Sequence, residues 1–288
     1  MASKAQRFDP RQTMRRGGFE IFHYRDTHLG DVELHHHDFY EIYLFLSGEV
    51  DYWVDGRLYH LQSGDLLLIN PMEFHRPVVK GENEVYERVV LWIEKGYLEG
   101  LSTEGASLTR CFDHALPTHT NLIRTSSLWR SDLTARMNAL AREYYSEEYG
   151  SLLCANGLLL QLMVELNRVA MQNEEGPMRE ESSPLVSKVL AYIADHYAED
   201  MSLESLAQQF FVSKYHLAHE FSRTVGIGVH RYIILKRLLI AKQLMTDGVL
   251  PGDVYAECGF RDYTNFYRAF KAEYGISPRA CVGRNEGK

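Results

Sequence analysis

The sequence predicts an α+β protein of two domains: an N-terminal β-barrel with an appended helix pair, and a C-terminal all-α domain with two helix-turn-helix units. Three observations support this fold class. Short aromatic and β-branched runs alternate with turn signals over 19–95, apolar residues recur at helical spacing over 127–172, and a helical segment repeats within 185–288. The length of 288 residues suits two ordinary domains.

The composition indicates a folded chain and argues against several classes of protein. Hydrophobic residues make up 45% and charged residues 24%, as in globular proteins. No run of 18 consecutive apolar residues occurs and the first twenty residues have no apolar core, so we expect neither a membrane span nor a secretion signal. The four cysteines are far apart, which predicts neither a zinc ribbon nor a disulfide scaffold and favours a cytoplasmic location.

The net charge of −8 is spread unevenly along the chain. Residues 1–184 carry 18 Lys and Arg against 28 Asp and Glu, whereas residues 185–288 carry 13 against 11. An acidic front half and a mildly basic rear half indicate two roles. The basic excess is too small to predict nucleic-acid binding from charge alone.

Turn signals separate the strands of the predicted barrel. Asp55-Gly56 lies between two strand-like runs, as in a two-residue β-hairpin. Gly64 belongs to a second turn, which precedes an apolar run that ends at Pro71. Many short strands at this spacing predict a barrel or a small sandwich over about 19–95.

Two amphipathic helices, expected to be antiparallel, are predicted over about 127–172, on either side of Gly150. Two interpretations of their apolar stripes remain open: the helices cover the barrel, or they form a dimer interface. The polar segment 173–184 is predicted to be the linker between a domain of residues 1–172 and a domain of residues 185–288.

The C-terminal segment contains an internal repeat, in which residues 211–227 match residues 260–276 at a constant offset of 49 and Phe211 corresponds to Phe260. Each copy is predicted to hold a short helix, a tight turn and a second helix. This arrangement is the helix-turn-helix unit.

Residues at the helix boundaries support this assignment. Ser213 and Asp262 are placed to cap the second helix of their copies, and Gly226 is suited to end the first of these helices. One continuous helix is predicted from about Val229 to Asp247 between the two units. At about 1.5 Å per residue it would span roughly 28 Å, close to the ~34 Å between successive major-groove faces of a duplex.

The exposed face of each second helix is polar and basic and carries almost no acidic residue, as expected for a surface that meets phosphates and base edges. The alternative is an ordinary helical bundle whose face is basic by coincidence. The residues on these faces are Lys214, Tyr215, His216, Ala218, His219 and Arg223 in the first copy, and Tyr263, Thr264, Asn265, Tyr267, Arg268 and Lys271 in the second.

Two stretches are especially distinctive: LAQQFFVSKYHLAHEFSRTVGIGVHRYIILKRLLIAKQLM and ECGFRDYTNFYRAFKAEYGISPR. They resemble the AraC/XylS family of bacterial transcription regulators, whose helical domain reads successive major grooves with two helix-turn-helix units. The sequence departs from this family at His219, where many relatives carry Arg, and at Tyr255, where a small residue is usual. The resemblance assigns base reading to Tyr215, Ala218, His219, Tyr263, Thr264, Asn265, Tyr267 and Arg268.

Phosphate contacts are predicted for basic side chains on or beside the reading helices, because neutralising phosphates supplies most of the sequence-independent affinity for DNA. These residues are Lys214, Arg223, Arg237 and Lys271.

The N-terminal half carries HHHDFYEIYLFLSG and GDLLLINPMEFHR. They resemble the cupin-type sensor domain of the same family, particularly in its sugar-responsive members. His35, His37 and Glu41 are expected on one face of a strand, with His75 from a neighbouring strand. This set suits contact with a small effector, a purely structural role, or a divalent metal. We expect effector contact without a bound metal or other cofactor; if a metal is present, these four residues are its predicted ligands.

Further residues of the effector site are predicted from their aromatic or charged side chains, since rings pack on sugar faces and polar groups orient hydroxyls. The predicted additions to the site are Tyr43, Trp53 and Arg88. Tyr52 and Trp92 are further candidates.

The sequence therefore predicts a cytoplasmic, homodimeric transcription regulator without enzymatic activity. Its expected partners are double-stranded promoter DNA, a small-molecule effector that is a sugar, and RNA polymerase if the protein is an activator. Two alternatives remain: a metal-dependent cupin enzyme fused to a DNA-binding domain, and a ligand-free dimeric adaptor.

Overall fold

The computed structural model describes residues 13–27, 29–30, 32–80, 85–113, 119–124, 127–172 and 183–282. The chain forms two compact units, Met1–Glu180 and Glu181–Lys288. Most of the predicted linker, 173–184, lies outside the described residues; Ser183 and Pro184 at its end begin the first helix of the second unit.

The first unit contains two antiparallel sheets. One has five strands in the order β1-β7-β2-β5-β8, and the other has three in the order β4-β3-β6. An isolated bridge between His35 and His75 adds a short pairing outside the named strands. The strands are β1 (Phe19–Asp26), β2 (Phe39–Ser47), β3 (Val50–Val54), β4 (Arg57–His60), β5 (Leu66–Ile69), β6 (His75–Val79), β7 (Tyr86–Glu94) and β8 (Leu122–Ile123).

Both faces of the five-stranded sheet are buried. One face, with Tyr43 and Trp92, packs in an aromatic core with residues of the smaller sheet. The other face, with Ile42 and Leu91, packs in a second core with residues of the helices. Burial on both faces explains why β2 and β7 read as nearly continuous apolar runs, because strict alternation is expected only where one face meets water.

Three helices belong to this unit: α1 (Lys95–Gly100), α2 (Ser127–Tyr144) and α3 (Ser151–Gln172). Met137 of α2 and Leu159 of α3 are fully buried in the second core. Of the two interpretations of the helix pair, the cover over the sheet is therefore observed.

By length and composition alone, α3 is also apolar enough to cross a membrane, with a mean hydropathy of 1.2 in an 18-residue window of which 33% is buried. The sequence criterion of 18 consecutive apolar residues did not detect it. Its buried side chains, among them Ala155, Leu162 and Leu166, belong to the core of the first unit, as in a core helix of a globular domain.

The second unit is helical in all its described elements, which confirms the predicted combination of a β-rich and an all-α domain. Phe266 and Phe270 are fully buried in its core against α7 residues such as Leu238. Its helices are α4 (Pro184–His196), α5 (Leu203–Gln209), α6 (Lys214–Val225), α7 (Val229–Thr246), α8 (Pro251–Glu257), α9 (Tyr263–Tyr274) and α10 (Pro278–Val282).

The predicted caps of the two reading helices are present. The Ser213 side chain accepts a hydrogen bond from the His216 amide, and the Asp262 side chain accepts one from the Asn265 amide. Gly226 ends α6 in the left-handed conformation, with φ of 91°. Each cap satisfies a backbone group that helix geometry leaves without an internal partner.

The repeat differs in register from the sequence alignment. The helices before the turn, α5 and α8, are 48 residues apart, whereas α6 and α9 after the turn are 49 apart, so the second turn is one residue longer. The residue equivalent to Phe211 is therefore Gly259 rather than Phe260. Both have positive φ, 56° and 78°, which fixes the equivalence. The alignment missed this because it matched aromatic side chains and not backbone conformation.

Candidate functional site

A cavity opens among the strands of the first unit, with about 440 Å³ of empty space that includes solvent at its mouth. Five aromatic side chains and two charged ones form most of its wall, which is the usual make-up of a small-molecule site. The lining residues are Tyr24, Leu29, Val32, His35, Glu41, Tyr43, Tyr52, Pro77, Tyr86, Arg88, Val90 and Trp92.

Four of the seven predicted effector residues line this cavity: His35, Glu41, Tyr43 and Arg88. Strands β2 and β7 bring Glu41 and Trp92 directly opposite each other in the ladder. The candidates Tyr52 and Trp92 also contribute to the wall.

The other three predicted effector residues do not line it. Trp53 is fully buried on the opposite side of β3 from Tyr52, because successive side chains of a strand alternate between faces. His37 and His75 are buried next to the wall, with ring centroids 4.7 Å apart, and His35 stands 4.3 Å from His75. Of the predicted histidines, only His35 reaches the cavity.

Backbone carbonyls orient all three of these histidines in the same way. His35 donates from Nδ1–H to the carbonyl oxygen of Glu33 at 2.8 Å. In the same way, His37 donates to the carbonyl oxygen of Phe39 and His75 to that of Glu73, both at 2.9 Å. In the neutral ring, Nε2 then carries a lone pair and acts as an acceptor.

Burial, and then the neighbouring His35 and His37, hold the pKa of His75 well below its usual value. Burial also lowers the pKa of His35. Both rings are therefore neutral at pH 7, and their Nε2 atoms are hydrogen-bond acceptors. No hydrogen-bond partner reaches Nε2 of His75 among the described residues, although the ring is fully buried.

Glu41 is the buried acid of the cavity wall, with 5% exposure. Its Oε2 accepts a hydrogen bond from Trp92 Nε1 at 2.7 Å and lies 3.3 Å from His37 Nε2. The Tyr52 hydroxyl also bonds to it, and burial followed by the charge of Glu41 raises the pKa of Tyr52 well above its usual value. Tyr52 thus remains a donor, and Glu41 is held in place by two neutral groups.

Arg88 is the buried base of the cavity wall, with 2% exposure. Its guanidinium donates to Asp26 and lies 4.2 Å from the ring centroid of Tyr86 and 4.9 Å from that of Tyr24. Asp26 balances the charge of Arg88, and the two rings cover it.

Sequence reasoning missed Tyr24 and Tyr86 as wall residues. Both adjoin Arg88: Tyr24 lies opposite it in the β1–β7 ladder, and Tyr86 lies two positions away on the same strand face. The period-two pattern could have placed Tyr86 on this face, whereas Tyr24 required the pairing of β1 with β7.

His37, Glu41 and His75 each place one ligand atom within 4.8 Å of the others. This two-histidine, one-carboxylate set, with each Nδ1–H bonded to a carbonyl, suits a divalent transition metal. Such an ion would polarise a hydroxyl or carbonyl group of a ligand. His35, the fourth predicted ligand, is not part of the set.

The two reading helices of the second unit expose the predicted base-reading residues to different degrees. Tyr215, His219, Tyr263, Thr264, Asn265 and Arg268 are exposed, and Ala218 and Tyr267 are partly buried. The buried faces of α6 and α9 hold Leu217 and Phe221, and Phe266 and Phe270, respectively. The polar faces are therefore free to meet another molecule.

Three of the four predicted phosphate contacts are exposed: Lys214, Arg223 and Lys271. Arg237 has another role. Its guanidinium donates to the carbonyl oxygens of Tyr197 and Glu199 at 2.7 and 2.6 Å, so it satisfies backbone groups just after α4. The sequence showed only a basic residue on a helix, and the packing of α7 near the end of α4 directs it inward.

The chain matches known families and proteins over both units. Residues 18–163, half of the chain, match the AraC-like ligand binding domain, and residues 206–284 match a helix-turn-helix domain. The chain is 24% identical to the HTH-type transcriptional activator RhaS of Escherichia coli O139:H28 (strain E24377A / ETEC) over 250 residues. These aligned residues cover 86% of this chain and 87% of that protein.

Among solved structures, ToxT from Vibrio cholerae O395 aligns with a TM-score of 0.37 at 13% identity, over 94% of this chain and 99% of that chain. The C-terminal domain of AraT, a response regulator from Geobacillus stearothermophilus, aligns with a TM-score of 0.36 at 25% identity, over 36% of this chain and 88% of that chain. The family matches over both units decide the assignment: this chain belongs to the AraC family of transcription regulators, with a ligand-binding domain followed by a DNA-binding helix-turn-helix domain.

Proposed function

We propose that the cavity of the first unit binds a hydroxyl-rich small molecule, a carbohydrate, and that its occupancy controls how the second unit engages promoter DNA. One observation carries this proposal: two residues with hydrogen-bond acceptors, Glu41 and His35, line a cavity whose wall is largely aromatic. A ligand with several O–H donors satisfies these acceptors, while the rings of Tyr52 and Trp92 pack on its apolar faces.

Control of DNA binding requires that the effector bind one arrangement of the protein better than another. The exposed polar faces of α6 and α9 supply the contact with double-stranded DNA. The presence of a cavity favours a ligand-responsive regulator over a ligand-free adaptor.

The proposal includes the oligomeric state and the cellular setting. We propose that the protein is a homodimer, because α3 exposes Leu152 and Leu153 at 58% and 77% beside the exposed Tyr149. We also propose that it is located in the cytoplasm. If the protein activates transcription, RNA polymerase is a further partner. We assign it no enzymatic activity, because the curated relatives that it matches are named as transcriptional activators.

A sugar panel tests the effector proposal directly on the full-length protein. All three tryptophans, Trp53, Trp92 and Trp129, lie in the first unit, so tryptophan fluorescence follows its unfolding selectively. We expect a restricted set of sugars to raise its melting temperature by mass action and to change affinity for DNA. Glu41→Gln should weaken sugar binding about tenfold or more, because a charged acceptor is lost.

Glu87→Gln is the matched control. Glu87 lies on β7 but outside the cavity, where it bonds His23 at 2.6 Å, so its replacement should leave sugar affinity unchanged. No shift with any sugar, or equal affinities of Glu41→Gln and the native protein, would contradict the carbohydrate assignment.

Removal of metal distinguishes the regulator from a metal-dependent cupin enzyme. We expect the purified protein to contain less than one equivalent of metal and to keep its effector response after dialysis against a chelator, since hydroxyl donors can satisfy the acceptors. Elemental analysis before and after dialysis, followed by the fluorescence titration, provides the measurement. Stoichiometric metal together with a response lost on chelation would favour an ion held by His37, Glu41 and His75.

A further inference from the structure

We propose that Asn265 is a positioning residue, which orients the guanidinium of Arg268 for reading one base pair through a hydrogen-bonded chain that begins at Asp262. The inference rests on the DNA-binding role of the second unit. It separates Asn265 from the residues that the family resemblance assigns to direct base contact.

The chain runs along one face of α9 at intervals of three residues. Asp262 caps the helix through Oδ1, which accepts the Asn265 amide at 2.8 Å. Its Oδ2 accepts from Asn265 Nδ2 at 2.5 Å, and Asn265 Oδ1 accepts from Arg268 NH2 at 2.8 Å. Since both ends of the Asn265 amide are engaged, its orientation is fixed, and so is one edge of the guanidinium.

This arrangement leaves the charge of Arg268 available to DNA. Within residues 183–282 no carboxylate forms an ion pair with Arg268, because its partner is the neutral amide of Asn265. Bidentate reading of guanine requires a planar guanidinium in a defined orientation. Because the rotamer of Arg268 is already fixed in the free protein, less side-chain entropy is lost when the protein binds DNA.

The first reading helix lacks this chain. Its cap is Ser213, and His216 and His219 occupy the positions equivalent to Asn265 and Arg268. Its two flanking cations are already paired: Arg223 with Glu220 at 2.9 Å, and Lys214 with Glu204 at 3.3 Å. The two helix-turn-helix units are therefore unequal. The unit that contains α9 should discriminate between base pairs more sharply than the unit that contains α6.

The test begins with duplexes selected from a random-sequence pool by the full-length native protein. Binding of each single-base-pair variant of the selected duplex is then measured for Arg268→Ala, Asn265→Ala and the double variant. Arg268→Ala should reduce discrimination at one base pair about tenfold or more. Asn265→Ala should reduce it at the same base pair by roughly threefold to tenfold, with an unchanged salt slope, since no phosphate contact is lost. The double variant should behave like Arg268→Ala alone.

Three controls make the outcome specific. His216→Ala, at the equivalent position of α6, should not affect that base pair. Asp262→Ser keeps a capping side chain, as Ser213 does in α6, but removes the acceptor for Asn265 Nδ2, so it should reproduce part of the Asn265→Ala effect at an unchanged melting temperature. Lys271→Ala should weaken all duplexes alike and flatten the salt dependence.

A loss of discrimination by Asn265→Ala at a different base pair, or losses that multiply in the double variant, would show that Asn265 reads its own base and would overturn the proposal. An Asn265→Ala protein with native discrimination would overturn it as well. If the native protein selects no sequence at all, the DNA-binding role itself fails, which is a separate result.

Discussion

Arg88→Ala should destabilise the first unit by about 3–5 kcal/mol, because it removes the buried cation that balances the buried carboxylate of Asp26. Asp26, with 9% exposure, receives the guanidinium of Arg88, which is itself 2% exposed. The change also removes the cation that stacks on Tyr24 and Tyr86 at the cavity wall. Urea unfolding followed by tryptophan fluorescence measures the loss in this unit alone.

The double variant Asp26→Asn/Arg88→Met is the control for this prediction. Replacing both partners by neutral groups of similar volume removes the buried charges together, so most of the lost free energy of unfolding should return. If Arg88→Ala and the double variant are equally unstable, the loss comes from packing of the long side chain and not from the stranded charge.

Gly259→Ala should destabilise the second unit by about 3 kcal/mol or more and abolish DNA binding at moderate temperature. Positive φ costs a non-glycine residue roughly 1–2 kcal/mol, and φ at Gly259 is 78°. In addition, an added Cβ would lie 2.5 Å from the carbonyl oxygen of Ala198, a backbone atom that has no rotamer by which to move away. Hydrogen exchange of amides in α8 and α9, together with binding to a selected duplex, provides the measurement.

Phe211→Gly provides the matched control at the equivalent position of the first copy. Phe211 has the same left-handed conformation, with φ of 56°, but its side chain is 96% exposed. Glycine relieves the backbone strain there and removes almost no packing, so the free energy of unfolding should rise by about 0.5 kcal/mol, the strain relief exceeding the extra entropy of the unfolded chain. Destabilisation by Phe211→Gly, or tolerance of Gly259→Ala, would show that the two turns are not equivalent.

Local chemistry is the reason that the second unit could be predicted closely. Ser213 and Asp262 cap their helices three residues away, and Gly226 ends α6 by its own backbone conformation. The connecting helix was predicted from about Val229 to Asp247 and is observed over Val229–Thr246. These helix caps involve residues only a few positions apart in the chain, so they can be predicted without knowledge of the tertiary fold.

The candidate effector site depends instead on pairings across long distances in the chain. Glu41 bonds Trp92 across 51 positions, and Asp26 bonds Arg88 across 62. The sequence predicted His35, His37 and Glu41 on one face of a strand, but β2 begins only at Phe39, so His35 and His37 precede it. Their depth relative to the cavity follows from how the strands pair. A one-residue change in register moves every side chain of a strand to the opposite face, which sequence periodicity alone does not resolve in strands buried on both sides.

The two-domain class, the helix-turn-helix repeat and the faces of its reading helices follow from the sequence alone, because periodicity and capping are local properties. The family was indicated by the resemblance of two sequence stretches and not by these local patterns. Three results required the three-dimensional structure: Trp53 turns away from the cavity, Arg237 binds carbonyls after α4, and Gly259 is the equivalent of Phe211. Each of these results depends on which backbone atoms lie nearby in space, and that proximity is created by packing of elements that are distant in sequence.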